Sequence, residues 1–222
     1  WIMVQSGLVD RPWVSQYRLT LHLLLALWLF IYMVQLLLEV PKLSQNIELT
    51  SSETSPFNQE VSFNKVSRLF WVFSAFVLLQ IIFGGFMAGT HAAKLYHTFP
   101  DMNGDMVPSG MFSESPWIAN FSENQTTIQF VHRWLGVAVL FVASLLWAKS
   151  RKLSRSPLKT GITMMEIAVA VQVVLGIFTL LLSPPAKVSV GLGVLHQGWA
   201  FVLCGLMVYV HHLLKKEAVS GA

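Results

Sequence analysis

Apolar residues fall along this chain in five long blocks, at about 18–40, 67–90, 127–148, 160–182 and 190–213, separated by polar connectors. Each block reaches the ~20 residues that a helix needs to cross a hydrocarbon core. The pattern predicts an all-α, polytopic membrane protein with five transmembrane helices, the last four forming a four-helix bundle. Between the third and fourth blocks lies KSRKLSRSPLK, with Lys149, Arg151, Lys152, Arg155 and Lys159 and no acid. That charge bias places this connector in the cytoplasm. Alternation then puts 91–126 and 183–189 outside and the C-terminal HHLLKKE inside. The 91–126 connector carries Asp101, Asp105, Glu114 and Glu123 against Lys94, in keeping with that orientation. The 41–66 connector is polar and charge-balanced and is expected to be a flexible cytoplasmic loop.

Composition sharpens the picture. Of the 222 residues, 54% are hydrophobic and 12% charged, against roughly 25% charged in a soluble domain. The surplus of 15 Lys and Arg over 11 Asp and Glu is concentrated in the one basic connector, so it is a topology signal and not a nucleic-acid footprint. The single cysteine, Cys204, sits within the last block, which rules out an internal disulfide and reads as a small packing residue. The chain opens on WIMVQSGL, an apolar helix already under way, and its natural start is expected further upstream.

Three histidines interrupt the apolar blocks at matching places: His22 in YRLTLHLLLALW, His132 in QFVHRWLG and His196 in GLGVLHQGWAF. The first, third and fifth blocks run in the same direction, and at ~1.5 Å per residue each histidine lies roughly 8–10 Å below the outer surface. Ionisable groups in a bilayer are costly unless something binds them. Two readings remain open: helix–helix hydrogen bonding, and ligation of iron in a b-type heme by two facing imidazoles. Zinc fits less well, because no Cys, Asp or Glu completes a compact set. His91 and His97 fall in the outer connector, and His211 and His212 at the inner exit, where solvated or dipole-complementing roles suffice.

Further residues bear on a heme. Gly85 and Gly89, and Gly136, Gly193 and Gly198 near the histidines, leave room for either a macrocycle or a packed helix. Arg133, Lys94, Arg18 and Lys187 are cations at the level of the heme propionates, or simply snorkel to the headgroups. Gln129, one turn before His132, is a candidate to order the site. Glu166 and Gln172 are intramembrane polar residues without an evident partner. HTFPDMNGDMVP in the outer connector reads as a lid over the heme or as an ordinary turn-rich connector. The stretch VSQYRLTLHLLLALWLFIYM has the layout of VSVGLGVLHQGWAFVLCGLMVY, a weak sign of a repeat with the first block closing an earlier unit.

The stretches WIMVQSGL, VSQYRLTLHL, GGFMAGTHAAKLYHTFPDMNGDMVP, QFVHRWLG, QVVLGIFTLLL and LHQGWAF, in that order, resemble the heme A synthase family of cytochrome oxidase assembly. The resemblance covers nearly the whole chain except 41–66. It implies eight helices in two four-helix halves with one heme site per half. It would make 1–40 the end of an N-terminal half and 67–214 the C-terminal heme-binding half, with 41–66 a loop between them and 215–222 a tail. It implies that His132 and His196 ligate a resident heme b, with Gln129 and Arg133 beside it. His22 would be a metal-ligating, catalytic histidine of the other half, where heme O is bound. Gln129 would be the neutral counterpart of that half's catalytic glutamate.

The implied activity is oxidation of the C8 methyl of heme O to a formyl group, with heme b relaying electrons. This chain alone is expected to be inactive. A bis-histidine cytochrome that only transfers electrons, and a scaffold with structural histidines, stay as alternatives. Implied partners are heme O, the lipid bilayer, heme O synthase, cytochrome oxidase assembly factors and a second copy of the chain. The implied location is the plasma (inner) membrane of a bacterium, with the mitochondrial inner membrane as the alternative.

Overall fold

The structure, a computed structural model, describes residues 14–44, 57–153, 157–183 and 189–220. The opening apolar stretch, Arg155, Lys187 and the middle of the 41–66 connector lie outside the described residues. Five helices make up the fold: α1 (Gln16–Ser44), α2 (Phe57–Thr90), α3 (Gln125–Ser150), α4 (Pro157–Leu181) and α5 (Val190–Ser220). All five are long and apolar enough to cross a membrane, and no strand occurs among the described residues. A helix satisfies its backbone hydrogen bonds internally, which is what lipid demands. The chain is an all-helical membrane protein.

The helices overrun the apolar blocks. α1 continues to Ser44 and α2 begins at Phe57, so the connector expected to be a flexible loop over 41–66 is helical at both ends. Likewise α5 reaches Ser220, well into the expected tail. Once nucleated, a helix gains a hydrogen bond for each residue added, so it runs on past the apolar segment that anchors it.

α2 packs along α3, α3 along α4 and α4 along α5, while α1 lies against α2 and α5. One apolar cluster joins α2 to α5 at the end that carries the basic connector. It contains Val66, Phe70, Phe73 and Val77 of α2 with Val142, Ala143 and Leu146 of α3. From α4 and α5 come Leu158, Ile162, Met165, Leu203, Val210 and Leu214. Gly85 and Gly89 of α2 do not face this bundle interior. A Cβ at Gly85 would strike Thr20 and one at Gly89 would strike Gln16, so these glycines let α1 approach closely. Phe30 of α1 meets Phe201 of α5 edge-on at 5.3 Å between ring centres.

The 91–124 connector is folded over the other end of the bundle. His91, with φ 60, turns the chain out of α2. Two short 3₁₀ segments follow, Ala92–Lys94 and Trp117–Phe121. Asn124 starts α3: its side chain accepts a hydrogen bond from the Thr127 amide at 3.0 Å. The same side chain donates to the Gly110 carbonyl at 2.9 Å and to Ser113 Oγ at 3.0 Å. Buried Asn120 pins the preceding turn by donating to the carbonyls of Glu114 (3.0 Å) and Trp117 (2.8 Å). The connector is thereby stitched to the first turn of α3 by side-chain amides.

Candidate functional site

The bundle's two halves differ in how they are filled. Among the described residues, no apolar side chain of α2 beyond Val77, of α4 beyond Val169 or of α5 before Leu203 is fully buried. Polar side chains line this connector-capped half instead. His132 is the eighth residue of α3 and His196 the seventh of α5, so parallel helices bring them to nearly the same level.

Each imidazole meets a glutamine of the neighbouring antiparallel helix. Gln80 Nε2 of α2 lies 3.3 Å from His132 Nε2. Gln172 Nε2 of α4 lies 3.3 Å from His196 Nδ1 and 3.4 Å from its Nε2, and donates to the His196 carbonyl at 3.1 Å. Each ring also rests on a glycine. A Cβ at Gly84 would sit 3.3 Å from His132 Cε1, and one at Gly176 3.0 Å from His196 Cε1. Gly136 clears space for the Gln80 carboxamide, 3.2 Å from where its Cβ would be. His132 Nδ1, Gln80 Oε1 and Gln172 Oε1 are buried without a hydrogen-bond partner, an expensive arrangement in a low-dielectric interior. One ring nitrogen of His132 is thus buried with no protein partner. Among the described residues no three His, Cys, Asp or Glu side chains cluster to hold a bare metal ion, so any metal here must bring most of its own ligands.

The other residues singled out in the sequence fall elsewhere. His22 is exposed on α1 and is not brought to the pair. Gln129 is buried and serves the connector: its Nε2 donates to the Tyr96 carbonyl at 2.8 Å, while its Oε1 is buried without a partner. Arg133 also serves the connector, with Nη1 donating to the carbonyls of Thr98 at 2.7 Å, Pro100 at 3.4 Å and Asp101. Its guanidinium lies over the Phe99 ring at 5.8 Å. Gly193 and Gly198 have open space where a Cβ would go and crowd neither histidine. His97 Nε2 lies 3.2 Å from the Lys94 carbonyl within the connector. His211 stacks on Phe70 at 6.3 Å and meets Trp71 edge-on at 5.2 Å, at the opposite end. Glu166, whose partner is not evident in the sequence, accepts a hydrogen bond from Ser144 of α3 at 2.7 Å.

Gln80, Gly84 and Gly176 drew no notice in the sequence, and Gln172 was noticed only as a polar residue without a partner. A signal was present: the second and fourth apolar blocks both contain Gln-x-x-x-Gly, as QIIFG and QVVLG.

A family model described as cytochrome oxidase assembly protein (COX15-CtaA) matches residues 1–208. The chain belongs to this family. The heme A synthase of Nitrosospira multiformis is 36% identical to it over 218 residues, 98% of this chain and 57% of the relative. The heme A synthase of Wolbachia pipientis from Culex pipiens is 36% identical over 218 residues, 98% of this chain and 59% of the relative. That of Flavobacterium johnsoniae is 36% identical over 219 residues, 97% of this chain and 59% of the relative. The chain therefore spans somewhat over half the length of these curated relatives. No solved structure matches it. Within the family match, residues 1–208 include both imidazoles, both glutamines and the stitched connector.

Proposed function

We propose that this chain is the heme b-binding part of a heme A synthase, acting in the oxidation of the C8 methyl of heme O to a formyl group. His132 and His196 hold the resident heme. A single observation carries the reading: two imidazoles at one level face a bundle half with no fully buried apolar filling on α2, α4 or α5. Two neutral imidazoles suit an iron porphyrin because the macrocycle supplies four ligands of its own. The unpartnered Nδ1 of His132 fits the same group, since a metal bond relieves a buried lone pair that protein leaves unmet. When bound, such a heme supplies reversible one-electron transfer.

The protein's own residues provide enclosure and orientation. The apolar cluster at the basic end closes the bundle below the site. Arg133 and Gln129, through the carbonyls of 96–101, hold the connector across the mouth and limit access of water. The basic 149–159 segment supports a mouth on the non-cytoplasmic side, in this reading of a bacterial plasma membrane. The relatives are named for synthesis of heme A; heme O is the substrate in this reading, and His22 on α1 is the histidine this chain offers to its oxidation.

A pyridine hemochrome spectrum of the purified protein tests the heme, with about one b-type heme per chain expected; no Soret band and no bound iron would sink the reading. Feeding heme O to the intact protein and assaying for heme A tests the activity. Bound heme b without any heme A formation would leave an electron-transfer cytochrome instead.

A further inference from the structure

Each histidine is held by the same three-residue device, built twice. α2 supplies Gln80 and Gly84 to His132 on α3; α4 supplies Gln172 and Gly176 to His196 on α5. The partners are 52 residues apart in one case and 24 in the other, so two hairpins with very different connectors reach a similar pairing: Gln80 meets Nε2 of His132 alone, while Gln172 meets both ring nitrogens of His196 and its carbonyl. In both, glutamine and glycine are one helical turn apart on the same face, the glutamine at the ring nitrogens and the glycine under Cε1.

A neutral imidazole has one N–H and one lone pair. If the lone pair goes to a metal, the N–H must find an acceptor in a water-free interior, and that acceptor fixes the ring's rotation and strengthens it as a ligand. Both glutamines have a buried carboxamide oxygen with no partner, a few ångströms from a ring. For Gln80 a half-turn about the last side-chain torsion, which is soft for an amide, exchanges NH₂ for oxygen and gives the N–H its acceptor; for Gln172 the same half-turn also gives up its bond to the His196 carbonyl.

We propose that Gln80 and Gln172 are the positioning residues of the two imidazole ligands, each carboxamide accepting one ring N–H so that the other nitrogen faces the iron. This rests on the heme b reading above. Acceptance of the N–H makes the imidazole more electron-donating and favours ferric over ferrous iron. Removing the acceptor therefore raises the midpoint potential, and replacing it by a carboxylate lowers it.

The test uses the purified heme-loaded protein in detergent, comparing wild type with Gln80→Leu, Gln80→Glu, Gln172→Leu and Gln172→Glu. Redox titration of the heme absorption band and low-temperature electron paramagnetic resonance are the readouts. Heme is expected to stay bound, with the potential moving up in the Leu variants and down in the Glu variants and with g values shifted from wild type. A role in packing alone gives no such opposite pair, and the near-isosteric Glu variants keep the test open where a Leu variant does not fold. Stoichiometric heme with wild-type potentials and g values in all four variants would overturn the proposal and spare the heme reading. Wild-type protein without heme, or with heme that persists in His132→Ala, would overturn both.

Discussion

At the basic end of the bundle, α2, α3, α4 and α5 meet through Phe73, Leu146, Ile162 and Val210, all with essentially no exposed surface. At the connector end the same four helices meet through Gln80, His132, Gln172 and His196, none of which is fully buried. One half is filled by its own side chains; the other is lined by groups that need partners. The contrast separates stability from chemistry along the length of single helices, and substitutions in the two halves should fail in different ways.

The largest effect belongs to the lined half. His132→Ala or His196→Ala is expected to abolish the low-spin heme b spectrum while leaving the helical content of the purified protein intact. An absorption spectrum beside circular dichroism checks it, and a low-spin heme surviving either substitution would break the comparison. Next comes the filled half. Phe73→Ala removes a side chain with no exposed surface and is expected to cost about 3–5 kcal/mol. It should lower the thermal midpoint in detergent while the folded fraction keeps a wild-type heme spectrum. The glycines under the rings sharpen the boundary. Gly176→Ala and Gly84→Ala insert a methyl 3.0 Å and 3.3 Å from His196 and His132, overpacking of a kind that costs about 1–3 kcal/mol. Gly176→Ala should perturb the heme's g values more than Gly84→Ala; equal and wild-type spectra would show that neither ring rests on its glycine.

How much of this was legible in sequence follows from what each feature depends on. The helices were legible because some twenty apolar residues in a row have one stable state in lipid. The shared depth of His132 and His196 was legible because depth is a count along a helix axis. What faces what was not. The contacts of Gln80 with His132 and of Gln172 with His196 depend on how α2 and α4 are rotated about their axes, and a block apolar all round carries no moment to set that rotation. Gln129 was harder to place for the related reason that one turn from a histidine is still a choice of two directions: its amide group donates to the Tyr96 carbonyl. The helical continuation through 57–66 was hidden because its polar residues read as a loop once they leave the apolar block.

The smallest effect is expected at His22, where the comparison is most exposed to error. Along the sequence it is indistinguishable from the other two histidines, being as deep in an equally apolar block and on a helix running the same way. The fold separates it: α1 lies outside the bundle, held by Thr20 against Gly85 and Phe30 against Phe201, and His22 faces outward. His22→Ala removes no packing from the bundle and no partner from either ring. The b-heme spectrum, its midpoint potential and the thermal midpoint should all match wild type, while conversion of heme O by the intact protein should fall. If the spectrum changed instead, α1 would have to reach the lined half, and the division between a filled end and a lined end would no longer account for where this chain keeps its chemistry.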